Sequence, residues 1–356
     1  MKMNKAVYFS SIKKGSGKSA LCLGMYLNLK NENHNPAYFK PIGEPFSSAE
    51  NVKMDKDVLA VMKLLNIPQN ANEICPVLLS PEYFFDQVDV ESAKNEMKKI
   101  QDAFSKIQSN HDIVVIEGNH IFDQFRYINL DDISIAKSIN AGMILVAPLK
   151  DDADFNDLDT AIEAVQKNNG KIIGVIINYM SQKNESRIQQ YYKPALDKLG
   201  VPIVGEIKSF KKLEFPTIEE LKIAINGRVV TSVYKDVKDN YVEGYHVAGM
   251  GIAAALTYLR KGVNNCVICG GDRTDIILAA LEANTAMIII SGNIDPDPQA
   301  IEMANEKKIP IIVSANSTFN TVYNMIMNVK KSIQPSELKM CEELVGDNVN
   351  WKEIIK

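Results

Sequence analysis

The sequence predicts an α/β protein: a doubly wound, mostly parallel sheet, then a smaller α/β unit, then a short helical segment. Three observations carry that prediction. Short apolar runs alternate with longer amphipathic stretches from residue 5 to about residue 208, and the alternation resumes after residue 217. Several runs, among them Asp112–Glu117 (DIVVIE), Met143–Pro148 (MILVAP) and Lys171–Asn178 (KIIGVIIN), are continuously apolar, the pattern of parallel strands buried on both faces. The first run leads through a small glycine-containing loop directly into a helix.

Taken in order, Ala6–Phe9 reads as a strand, Ser10–Gly17 as a loop, and the next stretch as a helix with apolar positions at Leu21, Leu23, Gly24 and Leu27. Asn31–Pro36 is a turn, Ala37–Ile42 a short strand closing on Lys40-Pro41, and Gly43–Lys53 an irregular loop. Asp57–Leu65 is a helix, Pro76–Pro81 an extended piece, and Val90–Ser109 a long amphipathic helix. Beyond MILVAP, the acidic stretch Asp151–Asp159 reads as a solvated helix start, with Asp154–Lys167 helical. The strand Lys171–Asn178, a helix over Asn184–Leu199 and the strand Val201–Ile207 complete the first alternation. A charged stretch closed by proline, Phe210–Pro216, marks a boundary, and Thr217 with Glu220 forms a capping box. Strands are then expected at Arg228–Tyr234, Glu243–Ala248, Val263–Cys269, Met287–Ser291 and Ile309–Val313. The helices between them are Gly251–Arg260, one ending at Ala283, one ending at Lys308, and Thr318–Lys330. The expected domains are residues 1–210, residues 211–331, and a helical tail over 332–356 docked by the single tryptophan, Trp351.

Composition narrows the function classes. With 46% hydrophobic and 24% charged residues, the 356-residue chain has the makeup of a soluble globular protein of two or three domains at about 150 residues each. A net charge of −4 argues against a general nucleic-acid binder. No apolar run reaches the roughly 18 residues of a membrane span, and strand-like sequence from residue 5 leaves no signal-peptide layout. Five cysteines, sparse and odd in number, point to a reducing cytoplasm. Cys266 and Cys269 have CxxC spacing, but in a strand positions i and i+3 face opposite sides, which favours buried small residues over a metal site.

The chemistry concentrates in Lys5–Leu21. Strand, tight loop, Gly17-Lys18-Ser19 and helix is the context of a phosphate site, a P-loop. Backbone N–H groups in such a loop converge on a phosphate, and the first helical turn adds its unpaired donors and dipole. Gly15 and Gly17 allow close approach, with Ser16 and Ala20 beside them; Lys18 reaches the β- and γ-phosphates and Ser19 places its hydroxyl on Mg²⁺. Lys13 and Lys14 add charge beside the phosphates. Ile12 stands where the usual motif has glycine, and a loop one residue longer starts at Ser11. Asp55 and Asp57 either complement a helix dipole or hold magnesium through water. Glu117 falls at the C-terminal end of its strand, where open α/β sheets place ligands, as a carboxylate polarising a metal-bound water would. Asn178, also at a strand end, is either a base reader or a turn former. In the second half, Gly270-Gly271-Asp272-Arg273-Thr274 follows a strand and opens a helix; Arg273 there either binds an anion or forms an ion pair.

Several stretches together resemble the dethiobiotin-synthetase-like P-loop proteins fused to a DRTGG domain, as in the N-terminal part of long phosphotransacetylases and in stand-alone archaeal proteins. They are Ser16-Gly17-Lys18-Ser19, Tyr38-Phe39-Lys40-Pro41-Ile42, Pro76-Val77-Leu78-Leu79, Val115-Ile116-Glu117-Gly118, Gly174–Asn178 and Leu199–Ile203, then Gly270–Ile276, Ser291-Gly292 and Ile309-Pro310-Ile311. The resemblance implies ATP and Mg²⁺ as cofactors. By it, Lys18 and Ser19 bind triphosphate and metal, Lys40 faces the transferred phosphoryl group and a substrate carboxylate, Asp57 and Glu117 hold Mg²⁺, and Asn178 recognises adenine. A cation near the transferred charge and a held Mg²⁺ suit a phosphoryl-transfer transition state. The chain departs from the family at Ile12, at Lys13-Lys14, and at Asp275-Ile276, which replaces the second Gly-Gly of the domain's name; no match to a diaminopelargonate pocket is evident. The acetyltransferase domain of long phosphotransacetylases would follow residue 356, so acetyl transfer is not expected here.

The expected function is therefore an Mg·ATP-dependent phosphoryl-transfer or ligase-type enzyme acting on a small carboxylate substrate, with Lys18 and Lys40 as catalytic residues. The alternative is a non-catalytic, nucleotide-responsive regulatory protein, with Gly270, Gly271, Asp272, Arg273 and Thr274 as an effector site. Nucleotide and small molecule are the expected partners, with neither nucleic acid nor membrane, and the resemblance implies a homodimer.

Overall fold

Fifteen strands and the helices between them appear in the computed structural model, which describes residues 5–355 apart from 48–52, 69, 83, 181, 209–212, 214, 284 and 330–332. In chain order the strands are β1 (Lys5–Ser11), β2 (Pro36–Phe39), β3 (Ile42–Gly43), β4 (Phe46–Ser47), β5 (Lys53–Met54), β6 (Val77–Leu78), β7 (Ile113–Glu117), β8 (Gly142–Ala147), β9 (Ile172–Met180), β10 (Ile203–Lys208), β11 (Arg228–Val229), β12 (Gly244–Val247), β13 (Asn265–Gly270), β14 (Thr285–Ser291) and β15 (Ile311–Val313). They divide between two units, one built from the residues up to 209 together with those from 333 onward, the other from residues 210–332.

The first unit is organised by one six-stranded sheet in the order β10-β9-β8-β1-β7-β2, parallel at every pairing. Its central strands are apolar on both faces because helices cover both; Tyr8, Phe39, Ile116, Met143, Leu145 and Ile177 belong to one continuous buried core. The order reverses around β1: the chain runs from β1 outward to β2, returns through β7, then crosses to β8 on the other side. Phe9 pairs with Glu117 and Ser11 with Val146, so the ends of β1, β7 and β8 meet at this switch point, where open α/β sheets form their ligand crevice.

Residues 333–355 return to this unit. The helix Leu338–Asn348 lies against the helix Lys18–Asn31. Gly24 permits the contact: a Cβ there would fall 2.1 Å from the Cys341 carbonyl oxygen and 2.5 Å from Val345 Cγ2. The Asn28 side chain donates to the Glu342 carbonyl at 2.8 Å, and Val349 pairs antiparallel with Gly205 of β10. Trp351 is buried beside them.

In the second unit the order is β11-β15-β14-β13-β12, antiparallel only between β11 and β15. Its two faces bury Val267, Ile288, Ile290 and Ile311 on one side and Cys266, Ile268, Ile289 and Ile312 on the other. Thr217 and Glu220 form a complete capping box, each side chain bonded to the other's backbone amide.

Two of the departures from the sequence expectation have a visible cause. The strand expected over Arg228–Tyr234 stops at Val229, and Tyr234–Val237 is helical. Side chains intercept the ladder: Thr231 Oγ1 accepts from the Ile311 amide, and the Ser232 and Val233 amides donate to Asn305 Oδ1. The helix expected over Asn184–Leu199 is α-helical at Gln182–Arg187 and Lys193–Lys198 but widens to a π-helical turn over Ile188–Tyr192. Pro194 has no amide to give to the preceding turn and its ring crowds that turn's carbonyl, which accounts for the widening. Among the described residues, no helix is long and apolar enough to cross a membrane.

Candidate functional site

The loop after β1 begins later than the usual motif because Ile12 is still part of the fold. Its amide donates to the Val146 carbonyl and its side chain is buried in the core, so a glycine at that position is not needed. Gly15 and Gly17 then take φ of +78° and +82°. Gly17 is also sterically required: a Cβ would stand 2.4 Å from Asn178 Nδ2 and 2.8 Å from the Tyr179 hydroxyl. Ser16 Oγ closes the loop on the Lys13 carbonyl at 2.6 Å. The helix starts at Lys18, so its first amides point out of the loop end. Ala20 is half-buried in that first turn, and Lys14 and Gly15 are exposed.

Lys18 is 7% exposed, and its Nζ donates to the carbonyls of Gly118 (2.7 Å) and Asn119 (2.5 Å), the turn that follows β7. Ser19 Oγ donates to Glu117 Oε1 at 2.6 Å, and the Tyr38 hydroxyl donates to Oε2 at 2.8 Å. Burial first, then the charge of Glu117, raises the Tyr38 pKa well above its usual value, so the phenol stays a neutral donor. Hydroxyl and carboxylate thus stand side by side at the mouth of the crevice.

Lys40 follows β2. Its ammonium sits 3.1 and 3.0 Å from the two oxygens of Asp55 and 3.8 Å from Asp57. Burial alone would lower its pKa, but Glu117, Asp55 and Asp57 outweigh that and raise it, so it is a fixed cation. The two aspartates stand in different surroundings. Asp55 is the N-cap of the helix Lys56–Leu65, accepting from the Val58 amide at 2.8 Å and the Glu44 amide at 2.7 Å. The Asp57 side chain is 52% exposed at the mouth. Partial desolvation by the surrounding protein raises its pKa; Lys40 opposes the shift, while Asp55 and Glu117 add to it.

The Lys13 side chain reaches the acidic helix start, pairing with Asp154 at 2.5 Å and Asp157 at 2.9 Å. The stretch expected to be only solvated therefore holds a loop lysine, while Asp151 caps its helix by accepting from the Asp154 amide. Asn178 does not end its strand, because β9 continues to Met180. The amide is 3% exposed, donating to the Ser16 carbonyl at 2.8 Å and accepting from the Tyr179 amide at 2.9 Å, so it braces the loop from behind. Among the described residues, no three His, Cys, Asp or Glu side chains cluster to hold a metal. The donors present, one hydroxyl and one or two carboxylates, fit Mg²⁺, which takes its remaining ligands from phosphate and water.

Two groups near the site were not legible in the sequence. Asp132 is fully buried and accepts from Tyr8 Oη (3.0 Å), Ser10 Oγ (2.6 Å) and the Asn119 amide (2.8 Å). Burial raises its pKa to about 7, against the opposing effects of Lys18, Ser10, Asn119 and Tyr8. His120 Nε2 lies 2.7 Å from Glu44 Oε1. The stretch 119–142 has no periodicity to mark these residues; the one available signal was Ser10, a hydroxyl at the end of an otherwise apolar strand.

In the second unit, Gly270 ends β13 and Thr274 opens a helix to Glu282. Arg273 Nε and one terminal nitrogen pair with the Asp275 carboxylate at 2.9 and 3.0 Å, and that nitrogen also donates to the Met250 carbonyl, so the ion-pair arrangement is the one observed. A Cβ at Gly271 would meet Ile294 at 2.5 Å, and Asp272 is exposed beside it. Cys266 and Cys269 are buried free thiols.

Residues 5–217 match the family described as AAA domain, and residues 220–328 match the DRTGG domain. The phosphate acetyltransferase of Synechocystis sp. is 22% identical over 335 residues, covering 90% of this chain and 46% of that protein. The chain therefore spans about half the length of that relative. The ATP-dependent dethiobiotin synthetase of Brachyspira hyodysenteriae is 25% identical over 228 residues, covering 62% of this chain and 99% of that protein. Among solved structures, a ParA family ATPase from Chlorobium tepidum is similar with a TM-score of 0.39 at 15% identity, covering 59% of this chain and 87% of that one. By these matches the chain belongs to the AAA-domain family, of the dethiobiotin-synthetase-like P-loop kind, over residues 5–217, and carries a DRTGG domain over residues 220–328.

Proposed function

We propose that the first unit binds Mg·ATP at the loop Lys13–Ala20 and transfers a phosphoryl group to a small carboxylate-bearing substrate, as a ligase-type or kinase-type enzyme. The observation that carries this reading is the convergence of Lys18, the Ser19–Glu117 pair and Lys40 at the C-terminal edge of one parallel sheet. Lys18 would exchange its two carbonyl partners for phosphate oxygens. Ser19, Glu117 and the exposed Asp57 would hold Mg²⁺, which neutralises the charge that develops on the transferred group. Lys40, kept cationic by three carboxylates, is the fixed positive charge beside them, and a substrate carboxylate or phosphoryl oxygen would compete with Asp57 for it.

Phosphate release in the presence of Mg·ATP and a panel of small carboxylic acids tests the reading. Stimulation by one acid in the wild type, lost in Lys40→Ala at unchanged ATP affinity, is the expected result. Equal turnover in both proteins would remove Lys40 from catalysis. A second reading, ATP as a conformational ligand with no turnover, is supported by the DRTGG domain over residues 220–328. Tight binding with no phosphate release under any acid would favour it.

A further inference from the structure

Asp132 connects three parts of the site that are distant in sequence. Its carboxylate accepts from Tyr8 and Ser10, on the strand leading into the phosphate loop, and from the Asn119 amide in the turn after β7. It lies tight against that turn: a Cβ on Gly118 would stand 2.4 Å from Asp132 Oδ2. The backbone reinforces the contact, with the Gly118 amide donating to the Phe9 carbonyl and the Asp132 amide to the Phe122 carbonyl. The carbonyls of this same turn, Gly118 and Asn119, are the two that hold the Lys18 ammonium.

We propose that Asp132 is a positioning residue for the phosphate site, locking the Gly118–Asn119 turn to β1 so that Lys18 is aimed at the bound phosphates. The proposal rests on the reading of Lys18 as a phosphate ligand. The three buried donors that meet here need an acceptor, and a neutral amide of the same shape would supply one without a charge. What the carboxylate adds is three acceptor bonds, two to β1 and one to the turn after β7, and a charge that acts on Lys18. The groups facing it are Tyr8 and Ser10 from β1, the Asn119 amide from the turn after β7, and Lys18 from the helix after the loop. Phosphates arriving at Lys18 disfavour an ionised carboxylate behind it, and burial already raises the Asp132 pKa to about 7. Affinity for Mg·ATP therefore falls as pH rises through that value.

The test is calorimetry with Mg·ATP at about pH 6 and about pH 8, together with thermal melts, on the wild type, Asp132→Ala, Asp132→Asn and Lys18→Ala. Asp132→Ala is expected to bind about tenfold more weakly at both pH values while still folded at the assay temperature. Asp132→Asn keeps the shape and an acceptor for the Asn119 amide. It is expected to bind within about threefold of the wild type near pH 6 and to lose the several-fold weakening that the wild type shows toward pH 8. If Asp132→Ala does not fold, the Asp132→Asn pH profile decides by itself. Wild-type affinity in folded Asp132→Ala, or a wild-type pH slope in Asp132→Asn, overturns the proposal. A wild type that binds no Mg·ATP overturns the phosphate-site reading and this inference with it. Wild-type affinity in Lys18→Ala separately locates a failure in that reading.

Discussion

At the scale of single residues, the site depends on groups with little freedom to be anything else. Gly17 holds a left-handed backbone and has Asn178 and Tyr179 where a side chain would go. Gly17→Ala should lower stability by roughly 1–3 kcal/mol and remove Mg·ATP binding, measured by melting and by calorimetry; a variant that melts and binds as wild type would show the loop tolerates a Cβ. Ser19 and Glu117 share a hydrogen bond at the proposed metal position, so Ser19→Ala should bring ATP affinity with Mg²⁺ close to that without it, a loss on the order of tenfold. Asp132 gives a stability prediction with a definite sign. Its folded pKa of about 7 lies above the unfolded carboxylate value, so between those two values the native state binds the extra proton and stability falls as pH rises. Asp132→Asn should therefore melt a few degrees higher than wild type near pH 8, with the difference shrinking toward pH 5. A constant difference across that range would contradict the burial argument.

At the scale of elements, the helix Lys18–Asn31 connects chemistry and packing. Its N-terminal turn carries Lys18 and Ser19, and its middle is covered by the helix Leu338–Asn348 through Gly24. In an isolated helix Gly→Ala gains about 1 kcal/mol, but here the methyl would collide with the Cys341 backbone. Gly24→Ala should therefore destabilise by about 1–3 kcal/mol, read as a lower melting temperature of the first unit. A raised melting temperature would mean that the two helices separate without cost.

The helix and strand types were legible because strands buried on both faces are continuously apolar and helices covering them are amphipathic. The ends were less so. Thr231 and Asn305 divert a strand, and Pro194 widens a helix, through contacts or geometry that a periodicity reading does not weigh. The same contrast holds in the site. Lys18 and Ser19 declared themselves through a local motif, and Glu117 through its place at a strand end. Asp132 and the Glu44–His120 pair did not, since folding joins residues 122 and 76 positions apart.

At the scale of the whole molecule, the first unit is assembled from two separate stretches of chain, with residues 210–332 between them. Residues 333–355 supply the cover of the helix after the phosphate loop and a bridge to β10 through Val349. Joining residue 209 to residue 333 by a flexible linker should give a folded unit that still binds Mg·ATP. Truncation after residue 332 should lower the melting temperature and expose the face around Gly24. Equal stability of the truncated and full chains would show that this return segment is dispensable.

The central claim is that the loop Lys13–Ala20 is a nucleotide site that works through Lys18. Titration of Mg·ATP into the wild-type chain and into Lys18→Ala by calorimetry tests it most directly. Saturable binding to the wild type, weakened about a hundredfold or more in the variant, is the predicted result. Equal affinity in the two proteins, or no binding to the wild type, would contradict it.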